Sequence, residues 1–199
     1  MQYKKTEDLK VGMRLARPIY NRDGVLLYER DSKLTAQGIT SIENFGLIGI
    51  FILEPAEPVP PMTEADIEFE RFQVVNVFAI KDEMEKILST GKTDKLDSIA
   101  SNIIKSFGNL DDKVNFVQNL RSKEDYAYKH ALNVAILCAM MGNQMNLKWQ
   151  EHRDVVTAAL VCDMNDYGVI EKVYESNPGI KRYCHQAGKI AEWVEAGKM

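Results

Sequence analysis

Cysteine is scarce in this chain: Cys138, Cys162 and Cys184 are the three in 199 residues, and they show no paired spacing. An odd, scattered set excludes a disulfide framework and fits a reducing compartment, so a cytoplasmic location is expected. Long hydrophobic runs are also missing. The most apolar stretch, residues 131–141, is too short to span a bilayer and is interrupted by Asn133. The start, MQYKKTEDLKVGM, has no apolar segment of the kind a secretory signal needs. Positive charge is not in excess: 25 Lys and Arg stand against 29 Asp and Glu, a formal net charge of −4. Neither DNA, RNA nor an anionic membrane is therefore expected as a partner. The sequence lacks a glycine-rich phosphate loop, a G-x-S-x-G elbow and a CxxC pair, and it has no internal repeats.

What is there is ordinary for a globular protein, 45% hydrophobic and 27% charged residues. Residues 1–54 read as a small β-rich module. Leu9, Val11 and Met13 alternate with polar or small residues, and residues 15–20 read as a strand with an edge proline at Pro18. Asn21-Arg22-Asp23-Gly24 is a hairpin turn, and residues 25–28 are the returning strand. Thr35 caps a short helix over 36–45, Gly46 ends it, and residues 48–53 form a last strand. Residues 55–62 are a linker, because Pro55, Pro58, Pro60 and Pro61 exclude helix.

Residues 63–199 read as all helical, which makes the chain α+β. Thr63 caps a long helix ending before Gly91, apolar on more than one side. Such a helix could pack in a core or pair two chains through residues 63–90. A second helix carries Leu96, Ile99, Ile103, Ile104 and Phe107 at helical spacing. A shorter one is expected from Asp111 or Asp112 to Leu120, and a last one over 180–196.

The most informative stretch, residues 124–166, reads as a helical hairpin turning at residues 142–146. Tyr126, His130, Val134, Leu137 and Met141 share one stripe of the first helix. Trp149, Val156, Leu160 and Asp163 share one stripe of the second. His130 lies 16 residues before Asn146 and Asp163 lies 17 after it. At about 1.5 Å rise per residue the two reach nearly the same height on the packed side. An imidazole and a carboxylate placed so can bind a metal or hydrogen-bond each other.

The segments YAYKHALNVA and ALVCDMND resemble the HD superfamily of metal-dependent phosphohydrolases, in particular its HD-GYP branch. By that resemblance His130 and Asp163 fall on metal ligands, and His185, three residues before Gly188, falls on a later ligand histidine. The family's HD histidine corresponds to Cys162, its lysine to Asp166 and the preceding glycine to Asn165. The family's later HH and GYP motifs have no counterpart in residues 1–199, so the resemblance implies an incomplete site. LKVGMRLARPIYNRDGVLLYERDSKLT is similar to the short module that precedes HD-GYP domains, so two modules stand in the family's order.

The resemblance implies a bacterial signalling protein with a degenerate HD-GYP-like domain in a non-catalytic regulatory or interaction role. Two alternatives stay open: a metal-dependent phosphodiesterase acting on cyclic di-GMP, and a nucleotide-binding sensor without turnover. The metal would be iron, manganese or zinc held by His130, Asp163 and His185, with Cys162 in reserve; a site without metal is the equal alternative. Partners would be a cyclic dinucleotide, a signalling protein or a second copy. His152, among Glu151, Arg153 and Asp154, is expected on the solvated surface, and Cys138 in the core.

Overall fold

The computed structural model describes residues 1–109, 126–161, 171, 173–175, 178–180 and 183. The chain is α+β, with a small antiparallel sheet at the N-terminus followed by mostly helical segments. The helices expected over 111–120 and most of 180–196 lie outside the described residues.

Five short strands build the N-terminal part: β1 Gln2–Lys5, β2 Arg14–Leu15, β3 Ile19–Tyr20, β4 Leu26–Tyr28 and β5 Gly49–Leu53. Strand β5 lies between β1 and β2, antiparallel to both, while β3 and β4 form a separate hairpin. The single strand expected over 15–20 is thus two. Ala16 still donates its amide to Phe51 O at 2.9 Å, but Pro18 has no N–H with which to continue a ladder. Strand β1 carries no apolar alternation and no buried residue, so its sequence QYKK gave no sign of it. Its place comes from pairing Gln2 with Ile52 through Lys5 with Gly49. The alternation over 9–13 belongs to no strand: Gly12 has φ 88° and Val11 is exposed.

The hairpin turn is built as its residues demand. Asn21 Oδ1 accepts from the amides of Asp23 (3.0 Å) and Val25 (2.9 Å), and Gly24 takes the left-handed conformation at φ 75°. Helix α1, Ala36–Asn44, begins with Gly38 N donating to Thr35 Oγ1 at 3.0 Å. It closes in a Schellman turn, with Gly46 N on Glu43 O and Leu47 N on Ile42 O. Leu9, Leu15, Ile19, Leu34, Ile42, Ile50 and Ile52 form the core beneath.

The Pro-rich segment has no regular structure, and two of its carbonyls are tied to the module. Arg14 donates to Glu57 O at 3.1 Å and Arg30 to Pro60 O at 2.8 Å. Helix α2, Glu64–Thr90, follows. Thr63 Oγ1 accepts from Asp66 N at 3.1 Å, and Asp66 Oδ2 accepts from Thr63 N and Oγ1, both at 2.8 Å, a reciprocal cap. Those bonds, the backbone one first, hold the Asp66 carboxyl below its ordinary pKa.

The chain divides into two compact units within α2. The first is Met1–Phe78 and the second begins at Ala79. In the first, the N-terminal half of α2 joins the β-rich module. The Arg17 guanidinium pairs with the Glu70 carboxylate, both largely buried, and lies 5.1 Å from the Phe51 ring centroid. Burial lowers the pKa of Arg17 to about 10, still far above neutrality, so the group stays charged and needs an anion. Arg22 lies 5.2 Å from the Phe78 ring centroid. In the second unit, helices α3 Leu96–Phe107, α4 Tyr126–Gln144 and α5 Trp149–Val161 pack on one another.

Removing Glu70 takes away the carboxylate paired with the buried Arg17 guanidinium and leaves the more distant charge of Asp66 acting on it. Glu70→Ala is expected to cost about 3 kcal/mol in urea unfolding, whereas Asp94→Ala, which breaks the exposed Lys86–Asp94 pair, should leave the unfolding midpoint nearly unchanged.

Candidate functional site

The candidate site belongs to the helical unit, and the first question is how its helices are held. The α3 amphipathic face buries Leu96, Ile99, Ala100, Ile103, Ile104 and Phe107, as its spacing predicts. Its start is held by a residue that sequence reasoning missed. Glu83, buried on α2, accepts from the amides of Asp94 (2.6 Å) and Lys95 (2.9 Å) with one carboxylate oxygen. A carboxylate at those donors satisfies groups that the helix cannot satisfy itself. The cue was only that an acid sat on an otherwise apolar face next to Met84 and Ile87.

Helices α4 and α5 form the expected hairpin, with its turn displaced. Helix α4 continues to Gln144, so Gly142 lies inside the helix. The turn is a Schellman motif closed by Asn146 at φ 53°, with Asn146 N on Asn143 O and Leu147 N on Gly142 O. Asparagine tolerates that left-handed position better than other non-glycine residues.

His152 is not on the solvated surface. It is buried, and its Nε2 lies 2.8 Å from Ala139 O. A Cβ added to Gly142 would stand 2.5 Å from His152 Cδ2 and 2.7 Å from Nε2. The glycine is what admits the ring. The acidic and basic neighbours of His152 concealed that it shares the inward face with Val156, Ala159 and Leu160, at helical spacing.

The stripes assigned to the two helices also need correction. On α4, Leu137 and Met141 are exposed, and His130 and Val134 are half-buried. The buried face is Ala131, Leu132, Asn133, Ala135, Ile136 and Ala139. On α5, Val156 and Leu160 are buried but Trp149 is exposed. The inward face of α4 is thus the neighbouring one, where Leu132 and Ile136 are fully buried among alanines, and Leu137 and Met141 fall outside it.

His130 therefore stands at the margin of the packed face. One turn further along, Asn133 is buried, and its Oδ1 has no hydrogen-bond partner. Residues three apart are neighbours on a helix, so Asn133 lies on the same side of α4 as His130. Asp163, Cys162, His185, Asn165, Asp166 and Gly188 lie outside the described residues, and Cys184 with them. Among the described residues no three His, Cys, Asp or Glu side chains cluster as metal ligands would. Cys138 is half-buried, and burial pushes its thiol pKa up to about 11.

No protein-family model, no curated protein and no solved structure matches the chain. Among the described residues no helix is long and apolar enough to cross a membrane.

Two tests follow from this geometry. Gly142→Ala drives a methyl into the His152 ring and is expected to cost about 2 kcal/mol, measured by thermal or urea unfolding. Truncating the ring as well, in Gly142→Ala/His152→Ala, should then cost less than the sum of the two single changes. Cys138 should resist alkylation: with its pKa raised from 9.0 to about 11, the thiolate fraction below pH 9 falls about a hundredfold. Peptide mapping after iodoacetamide at pH 8 should find Cys138 unmodified in folded protein and modified in urea.

Proposed function

We propose that the chain is a bacterial signalling protein whose helical unit is a degenerate HD-GYP-like domain with a regulatory or interaction role. The observation that carries the reading is the register of the α4–α5 hairpin. His152 meets Ala139. Counting back from 139 to 130 and on from 152 to 161 covers equal numbers of residues, at about 1.5 Å each. His130 then falls level with Val161, and Cys162-Asp163 follow next in the sequence. His130 level with Val161, two residues before Asp163 in the sequence, is what supports an HD-like reading.

Cys162 in the HD histidine position and Asp166 in the lysine position support the non-catalytic reading. A thiolate suits zinc but is a poor ligand for hard-metal phosphoryl chemistry. If a metal is held, His130, Asp163 and His185 are the residues to hold iron, manganese or zinc, which would polarise a phosphate and supply hydroxide. His130 and Asp163 without metal would form a structural hydrogen bond. The partner in this reading is a cyclic dinucleotide or a signalling protein. Pairing of two chains through 63–90 has less to support it, since Leu88 is the one exposed large apolar side chain on α2.

The test is turnover. With added manganese, iron or zinc, the purified protein is expected to hydrolyse neither cyclic di-GMP nor a generic phosphodiester, followed by product chromatography. Metal-dependent hydrolysis abolished by Asp163→Ala would overturn the reading in favour of a phosphodiesterase. Calorimetric binding of cyclic di-GMP without product would make the chain a nucleotide sensor.

A further inference from the structure

The buried polar side chains of the helical unit divide into those with a partner and one without. Glu83, His152, Asp154 and Thr157 are buried there, and each makes a hydrogen bond. Asn133, 6% exposed, has no partner for its Oδ1 among the described residues. The rest of the buried α4 face is apolar: Ala131, Leu132, Ala135, Ile136 and Ala139. A buried carbonyl oxygen without a donor opposes folding, and a leucine, of nearly the same shape, would remove that penalty. Such an atom calls for a donor or a cation to meet it. Its position narrows the choice. Asn133 follows His130 by three residues, on the same side of α4. Two side chains at that spacing can reach one metal ion, as Glu-x-x-His pairs do in helical bundles.

We infer that Asn133 is a metal ligand beside His130, its Oδ1 given to a hard divalent cation of the manganese class. The inference rests on the HD-like reading of His130 and Asp163. That reading leaves the ligand set one nitrogen short, because Cys162 stands where the family has a histidine. Asn133 makes up the number with an oxygen. An oxygen that accepts no hydrogen bond from the protein can take a cation without giving one up. An amide oxygen is a hard, neutral ligand, and together with the Asp163 carboxylate it suits manganese. A set completed by the Cys162 thiolate would favour the softer zinc instead.

Manganese binding to the full chain tests this. The protein is stripped with EDTA, dialysed and titrated with manganese(II), and the free ion is counted by electron paramagnetic resonance. The parent should bind manganese stoichiometrically. Asn133→Leu should bind at least about tenfold more weakly, yet melt no lower than the parent in EDTA. Asn133→Asp, which keeps an oxygen at the position, should bind at least as tightly as the parent. An Asn133→Leu chain that binds like the parent overturns the inference. If His130→Ala then abolishes binding, the HD-like reading stands without Asn133; if it does not, both fail. An Asn133→Leu chain that melts well below the parent in EDTA, or does not fold, also overturns it, because the oxygen then has a partner in the protein or in ordered water. A parent that binds no manganese overturns it too, while a metal-free His130–Asp163 pair is tested separately, by the coupling of the two in unfolding.

Discussion

The helical unit depends on one close approach, the His152 ring against Gly142. A glycine inside α4 leaves room for the ring, where any Cβ would stand within 2.5 Å of it. The ring fills the space and meets the Ala139 carbonyl. Ala131, Ala135 and Ala139 extend the same low profile along α4. Small residues on a helix face permit close packing, and the His152 contact with Ala139 helps set the register. That register sets which residue of α5 faces which residue of α4. The level of His130 relative to the end of α5 therefore follows from His152.

The N-terminal unit is organised differently. Its core is small, and the first half of α2 adds a second layer through buried charge. Arg17 is held between Glu70 and the Phe51 ring. Such a pair adds little net stability over apolar packing, but it tolerates the loss of either partner poorly. Gly24 lies close beneath Arg71 and Val75 of α2. The glycine needed for the hairpin turn also stands where a Cβ would press on Arg71 and Val75.

Local chemistry was legible in the sequence wherever one short segment determines the outcome. Thr35, Asn21 to Gly24, Gly46 and Thr63 act through backbone groups a few residues away, and each forms the cap or turn its residue type implies. What depends on distant partners was not legible. Strand β1 is polar and exists because β5 offers it a ladder. Glu83 lies 11 residues before the first amide it satisfies. His152 looked solvated because its neighbours are charged, although its own helical phase is inward. Leu137 and Met141 read as core because they are apolar at helical spacing, whereas the neighbouring face with Leu132, Ala135, Ile136 and Ala139 is the buried one. Of the candidate metal ligands, His130 alone falls among the described residues. There the sequence named the residue, and the structure places it half-buried at the edge of the packed face.

The proposed HD-like reading needs His130 and Asp163 to meet, and a double-mutant cycle tests that most directly. Unfolding free energies of the parent, His130→Ala, Asp163→Ala and the double variant give the coupling between the two side chains. The account predicts a coupling of about 1 kcal/mol or more, as for groups sharing a hydrogen bond or a metal. Additivity within about 0.3 kcal/mol would mean that the two do not meet, and would contradict the HD-like arrangement.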